Sequence, residues 1–175
     1  AGYWRNNVEV TKRILNRYAD DTRILYASSS SAYEPDLNPY AASKYVMEEA
    51  AERFPDTLGM RFHTVYSESP RAKMFFDKLL NNTLEYTTNH QRDFIHLEDL
   101  TDGIILLMDK DLTGNVDIGT GECVRIQDIR PDLPVKLNTI GERTKTQANT
   151  HLMDKLGFRP KYTVDGFLKE QGFKK

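Results

Sequence analysis

Tyr40-Ala41-Ala42-Ser43-Lys44 sets a phenol and an ammonium four residues apart, at the head of a stretch, Tyr40 to Arg53, with few helix breakers. On a helix that spacing puts both side chains on one face, one turn apart. A phenol, with a pKa near 10, is a poor base at neutral pH. A neighbouring ammonium favours the phenolate and brings it toward a useful range. Taken alone, the pair reads as an ordinary surface pair of an amphipathic helix. A second group lies upstream, Tyr26-Ala27-Ser28-Ser29-Ser30-Ser31-Ala32-Tyr33. Ends of parallel strands are where α/β sheets place ligands, and a serine there can hydrogen-bond a substrate hydroxyl and the phenol together. In an arbitrary loop these serines would be a polar turn. The strand in front of them and Asn38-Pro39-Tyr40 behind make the joint pattern specific.

The elements that must position these groups follow from periodicity. Val8, Ile14, Leu15 and Tyr18 recur at helical spacing and predict a helix over 5–18, with Asn6 or Asn7 near its start. Arg23 to Ala27 is a short apolar run stopped by Ser28 to Ser31, as expected of a strand buried on both faces. Residues 32–39 carry loop chemistry in Pro35, Asp36, Asn38 and Pro39. Leu58 to His63 reads as the next strand. Helix and strand thus alternate at short intervals, the mark of parallel βαβ units. Further on, the pattern predicts a helix over 72–80, strands over 84–87 and 92–97, and a helix over 98–110. Leu100, Ile104, Ile105, Leu107 and Met108 would form the buried stripe of that helix. Short strands over 114–118 and 123–126 flank a Gly119-Thr120-Gly121 turn. Residues 131–141 are irregular, and 150–156 and 164–171 form small helices.

Composition narrows the class. A chain of 175 residues is of one-domain size, and 39% hydrophobic with 10% aromatic residues suits a packed globule. Lys+Arg 24 against Asp+Glu 26 gives a net charge of −2, without the basic footprint of a dedicated nucleic-acid binder. No apolar run approaches the ~18 residues of a membrane span, and no secretory leader pattern opens the chain. Cys123 is the sole cysteine, which excludes an internal disulfide and a cysteine-rich metal site. His63 and His96 stand in strand contexts without partner ligands, so no metal is expected. The expectation is a soluble, cytoplasmic protein that touches neither nucleic acid nor membrane.

Tyr26 to Lys44 resembles the active-site stretch of the extended short-chain dehydrogenase/reductases, in particular the NAD-dependent sugar-nucleotide epimerase/dehydratase family. Asn6-Asn7-Val8 with Thr11 resembles the helix before the family's serine strand, and Met60 to Tyr66 its substrate-binding strand and loop. Gln91 to Leu100 resembles its Arg-Asp-Phe/Tyr segment; Asp117 to Glu122 and Leu156 to Pro160 resemble its late landmarks. The likeness spans essentially the whole chain and is closest in character to UDP-sugar 4-epimerases, including those of UDP-glucuronate. It implies an α/β fold: an incomplete Rossmann-like parallel sheet with helices, plus a small C-terminal α+β region. Residues 1–66 would be a remnant of the Rossmann-like domain. Residues 67–175 would mainly bind the nucleotide sugar, with Arg92 to Leu107 returning to the core. None of the ten glycines forms the family's glycine-rich pyrophosphate turn, so this chain alone is expected to bind NAD weakly or not at all.

The resemblance also implies roles. Tyr40 would take a proton from a sugar hydroxyl, Lys44 would lower its pKa and hold the nicotinamide ribose, and Ser29 would orient the hydroxyl. Ser28, Tyr40 and Lys44 would meet the NAD cofactor. Arg92 would grip the diphosphate, with Asn7, Thr64 and Arg71 at other substrate positions. Ser30 and Ser31 stand where the dehydratase branch carries Asp-Glu, which favours epimerisation over dehydration. The family's late Arg-Pro-Gly-Asp reads here as Thr139-Ile140-Gly141-Glu142, with Arg143 offered as a substitute phosphate ligand. Asp93 and Asp99 are expected to be structural. A homodimer is implied, formed by the helices at about 5–18 and 40–53, with Tyr45, Val46 and Ala50 as contacts. The competing reading is a truncated, non-catalytic module that binds a nucleotide sugar or a partner; a structural protein without ligand comes third.

Overall fold

Asn38 starts the helix that carries the tyrosine and the lysine. Its side chain accepts the Ala41 N–H at 2.9 Å, and Pro39 fills the first turn, where a missing N–H costs nothing. In the computed structural model, which describes residues 2–137 and 140–173, this helix, α2, runs Pro39–Ala51. It packs against α1 (Val10–Tyr18), which is entered through a π-helical turn, Trp4–Glu9. Leu15 and Ala19 meet Ala50 and Ala51 between them.

Behind α2 lies a parallel sheet in the order β1 (Ile24–Ser29), β2 (Thr57–Phe62), β6 (Gly114–Ile118). Gly59 lies at the centre of β2, where Tyr26 and Asn115 from the flanking strands join through a 2.9 Å hydrogen bond, Tyr26 donating. A side chain on residue 59 would run into both. After His63 the chain enters β3 (Thr64–Tyr66), which is parallel to β5 (Gln91–His96); β7 (Cys123–Arg125) is antiparallel to β5. The remaining elements are α3 (Phe75–Leu80), β4 (Thr87–Thr88), α4 (Leu97–Met108), α5 (Ile126–Ile129), β8 (Val135–Lys136), α6 (His151–Lys155) and α7 (Val164–Glu170). Leu58, Met60, Val116 and Ile118 of the first sheet are sealed by Leu100 and Leu107 of α4 and by Met153 and Phe158. A second core joins Tyr66, Phe76, Phe94 and Phe167. This is the α/β, Rossmann-like architecture expected. No described helix is long and apolar enough to cross a membrane.

Four local expectations are corrected. β1 is an edge strand among the described residues, so Ile24 to Tyr26 are half-buried and Ala27 is exposed, rather than buried on both faces. In α4, Leu100, Ile104 and Leu107 share the inner face, whereas Ile105 and Met108 fall about 100° around the helix and are 56% and 60% exposed. The strand expected over 84–87 forms only at Thr87–Thr88. It pairs in parallel with Val135–Lys136, inside the stretch read as irregular. Residues 32–39 are not a plain loop but include 3₁₀ turns, Ser30–Tyr33 and Pro35–Leu37.

Candidate functional site

Tyr40 and Lys44 share a face of α2 as their spacing requires. The Lys44 Nζ lies 5.9 Å from the Tyr40 ring centroid and donates to the Ala27 carbonyl of β1 at 2.7 Å. Burial lowers the Lys44 pKa, and the neighbouring Glu48 carboxylate partly offsets that. Tyr40 is half-buried and meets the Tyr3 ring edge-on, centroids 5.3 Å apart. Asn7 sits behind this pair. Its Nδ2 donates to the Ser43 hydroxyl at 2.9 Å, and Ser43 donates to the Tyr40 carbonyl at 2.7 Å.

The serine run divides. The Ser29 hydroxyl accepts the Ser31 N–H at 3.2 Å and faces a cleft. The Ser28 hydroxyl turns the other way, buried, and donates to Glu48. Glu48 also takes both prongs of Arg61, Nε at 3.0 Å and Nη2 at 2.7 Å. The Arg61 guanidinium lies 4.3 Å over the Tyr33 ring, and the Tyr33 hydroxyl donates to Asp117 at 2.9 Å. Burial pushes the Asp117 carboxyl up, but bonds from His63, the Asn149 N–H and Tyr33 outweigh it and hold the carboxyl below its ordinary range. Sequence reasoning missed Glu48 and Arg61. The one available signal was that Glu48 follows Lys44 by a single turn on the same face.

The cleft beside Ser29 has a volume of about 330 Å³. Ser29, Ser30, Ser31, Ala41, Thr64, Arg92 and Arg143 are among the residues that line it; Tyr40 and Lys44 are not. Through Thr64, Met74, Arg92 and Glu142 it adjoins a second cavity of about 470 Å³, lined also by Lys73, Tyr86 and His90. Arg92 is half-buried; burial lowers its pKa, as does Arg143, while Glu142 at 3.6 Å raises it. Arg143 is engaged with Glu34 at 2.6 Å and the Ser30 carbonyl at 2.8 Å. The fold therefore gathers Ser29, Thr64, Arg92 and Arg143 on one cleft, beside the Tyr40–Lys44 end of α2. Arg71 is exposed and does not line it, and Asn7 faces Ser43. Asp93 and Asp99 accept backbone N–H groups from residues 120, 121, 148, 161 and 162, as structural carboxylates do. Thr139 lies outside the described residues.

A parallel α/β sheet with a tyrosine–lysine helix behind a serine turn defines a class, and comparison supplies the family. The model of the NAD dependent epimerase/dehydratase family matches residues 1–119, and the chain belongs to that family. It is 27% identical to an uncharacterised protein of Methanocaldococcus jannaschii, over 95% of this chain and 64% of that protein. It is 24% identical to YtcB of Bacillus subtilis, an uncharacterised UDP-glucose epimerase, over 92% of this chain and 58% of the relative. The chain thus spans less than two thirds of the length of these relatives. Among solved structures, MoeE5 in complex with UDP-glucuronic acid and NAD superposes with a TM-score of 0.82 at 26% identity, covering 97% of this chain and 72% of MoeE5.

Proposed function

We propose that this chain is the catalytic and substrate-binding portion of an NAD-dependent UDP-hexose or UDP-hexuronate 4-epimerase. The observation that carries this reading is the Tyr40–Lys44 pair, held against β1 by Lys44 beside the cleft that Ser29 and Arg92 line. In this scheme Tyr40 takes the proton of the sugar hydroxyl and returns it, and the adjacent Lys44 charge stabilises the phenolate. Ser29 orients the hydroxyl, and the planar fork of Arg92 holds the diphosphate. Ser30 and Ser31 lack the proton affinity for elimination, which favours epimerisation. NAD, the family cofactor, accepts and returns the hydride of the same carbon when bound. The residues present suit only its nicotinamide end, where Tyr40 and Lys44 lie. Ser28, with its hydroxyl given to Glu48, is assigned to holding the turn rather than the cofactor. Asn7 is assigned to fixing α2 through Ser43.

A second reading is a nucleotide-sugar-binding module without turnover, favoured by a cleft that Arg92 and Arg143 line while Tyr40 and Lys44 do not. Titration calorimetry with UDP-glucuronate and UDP-glucose tests what the two readings share. Arg92→Ala removes a charged hydrogen-bonding group, worth ~1.5–3 kcal/mol, so affinity is expected to fall about ten- to a hundred-fold. Unchanged binding would remove Arg92 from the site.

We also infer a homodimer. Tyr3, Trp4, Val10, Ile14 and Tyr18 of the first helical segment are each more than 40% exposed, and Tyr45 of α2 is 40% exposed. Ala50 is not available for such a contact, because it is buried against α1. Light scattering at high micromolar concentration is expected to give twice the chain mass; a monomer mass counts against the dimer.

A further inference from the structure

Each arginine of the cleft is met by a carboxylate. Arg143 pairs with Glu34 at 2.6 Å, and Glu34 is not among the residues that line the cleft. Glu142 differs, because it lines both the cleft and the adjoining cavity. Its Oε2 lies 3.6 Å from Arg92 Nη2 and 3.6 Å from His90 Nδ1. Burial, then Arg92, pushes the His90 pKa down against the upward pull of Glu142. At neutral pH the imidazole is therefore uncharged, and Arg92 is the cation that Glu142 meets. The Glu142 side chain is 55% exposed, so little packing holds it there, whereas that of Arg92 is 15% exposed. Arg92 does not need Glu142 to stay in place, since its Nη1 donates to the Gln91 carbonyl at 3.0 Å.

We propose that Glu142 is an internal competitor for Arg92: its carboxylate covers the guanidinium prong that a nucleoside diphosphate would take, and an incoming anion has to displace it. Carboxylate and phosphate oxygens use the same guanidinium N–H donors, so the two ligands compete for one fork. A phosphate that binds while Glu142 stays meets a like charge at close range. The Arg92–Glu142 contact is long and half-exposed, which makes it weak enough to yield. Glu142 thus sets how strongly an anion must bind before it holds the cleft. A glutamate that merely preorganised Arg92 would act in the opposite direction and help the ligand. The inference rests on the reading of Arg92 as the diphosphate ligand, and the two can fail separately.

The probe is inorganic pyrophosphate, which offers a diphosphate without sugar or nucleoside, titrated calorimetrically into the whole chain. Glu142→Gln keeps the length of the side chain and removes its charge. At about 50 mM salt it is expected to tighten pyrophosphate binding about two- to fivefold, the worth of an exposed ion pair. The gain should fade at about 0.5 M salt, where exposed charges are screened. Unchanged or weaker binding by the variant overturns the proposal. So does a gain that salt leaves intact, which would mark a reshaped cleft. Arg92→Ala separates the competitor from the reading beneath it. If Arg92→Ala weakens pyrophosphate while Glu142→Gln changes nothing, only the competitor falls. Affinity indifferent to Arg92, or no binding by any of the three chains, ends both.

Discussion

Tyr40→Phe is expected to lower turnover of a UDP-hexose or UDP-hexuronate by ~10²–10⁴-fold, the usual cost of losing a general base, in a full-length or complemented enzyme carrying this segment. The fold should not notice. The ring that meets Tyr3 is retained, the Asn38 cap and the Ser43 bond to the residue 40 carbonyl do not involve the hydroxyl, and that hydroxyl has no hydrogen-bond partner among the described residues. Substrate affinity, which rests on Arg92 in this scheme, should persist. Steady-state kinetics then show a collapse in kcat with KM nearly unchanged, and thermal denaturation shows no loss. A variant that keeps near-normal turnover would exclude Tyr40 as the base, and the epimerase mechanism with it.

The largest effect on stability is expected at Asp93. Its fully buried carboxylate accepts the Thr120 N–H and hydroxyl at 2.8 Å each, the Gly121 N–H at 2.8 Å and the Ala148 N–H at 2.9 Å. Asp93→Ala leaves three backbone donors without that partner, the Ala148 N–H in the interior and the Thr120 and Gly121 N–H groups partly buried. At ~1–3 kcal/mol for each unsatisfied donor, partly relieved by water, a loss of about 3–5 kcal/mol follows. For a chain of this size that is a fall in melting temperature on the order of 10 °C. Asp93 also adjoins Arg92 on β5, so the variant should weaken nucleotide-sugar binding beyond its effect on stability. Thermal denaturation with and without UDP-glucuronate checks both; a fall below 3 °C would show that the turn at 119–121 stands without the carboxylate.

The parts of the site that lie close in sequence were legible, and the parts that meet only through the sheet were not. Tyr40 and Lys44 are bound by helix geometry alone, and Asn38-Pro39 announces where that helix begins. Ser29 is marked by a strand ending in hydroxyls. Glu48, by contrast, reads as one of two consecutive glutamates on a helix. Nothing local says that register will bring Ser28, 20 residues away, and Arg61, 13 away, to its carboxylate. The same limit hid the bond of Ser28 to Glu48, since the direction of that side chain depends on the pleat of an edge strand. Ile105 and Met108 were apolar enough to suggest burial, yet helical phase put them outside. Thr87 and Thr88 pair with Val135 and Lys136 across a gap no short-range pattern spans.

The clasp formed by Gly141 and Arg143 bears on the order in which the molecule assembles. Asn38 donates to the Gly141 carbonyl across 103 residues, and Arg143 reaches Glu34 and Ser30 across 109 and 113. Contacts of such separation close late, because the chain entropy they remove is repaid only once the intervening structure exists. The parallel pairing of β1 with β2 spans only about thirty residues and precedes them. A nascent chain not yet extended to Gly141 would hold Tyr40 and Lys44 on a formed helix, yet lack the Glu142–Arg143 wall of the cleft beside them. Maturation of the cleft is thus tied to synthesis of the segment that carries Gly141 and Arg143, long after the strands and helix on its other side can form.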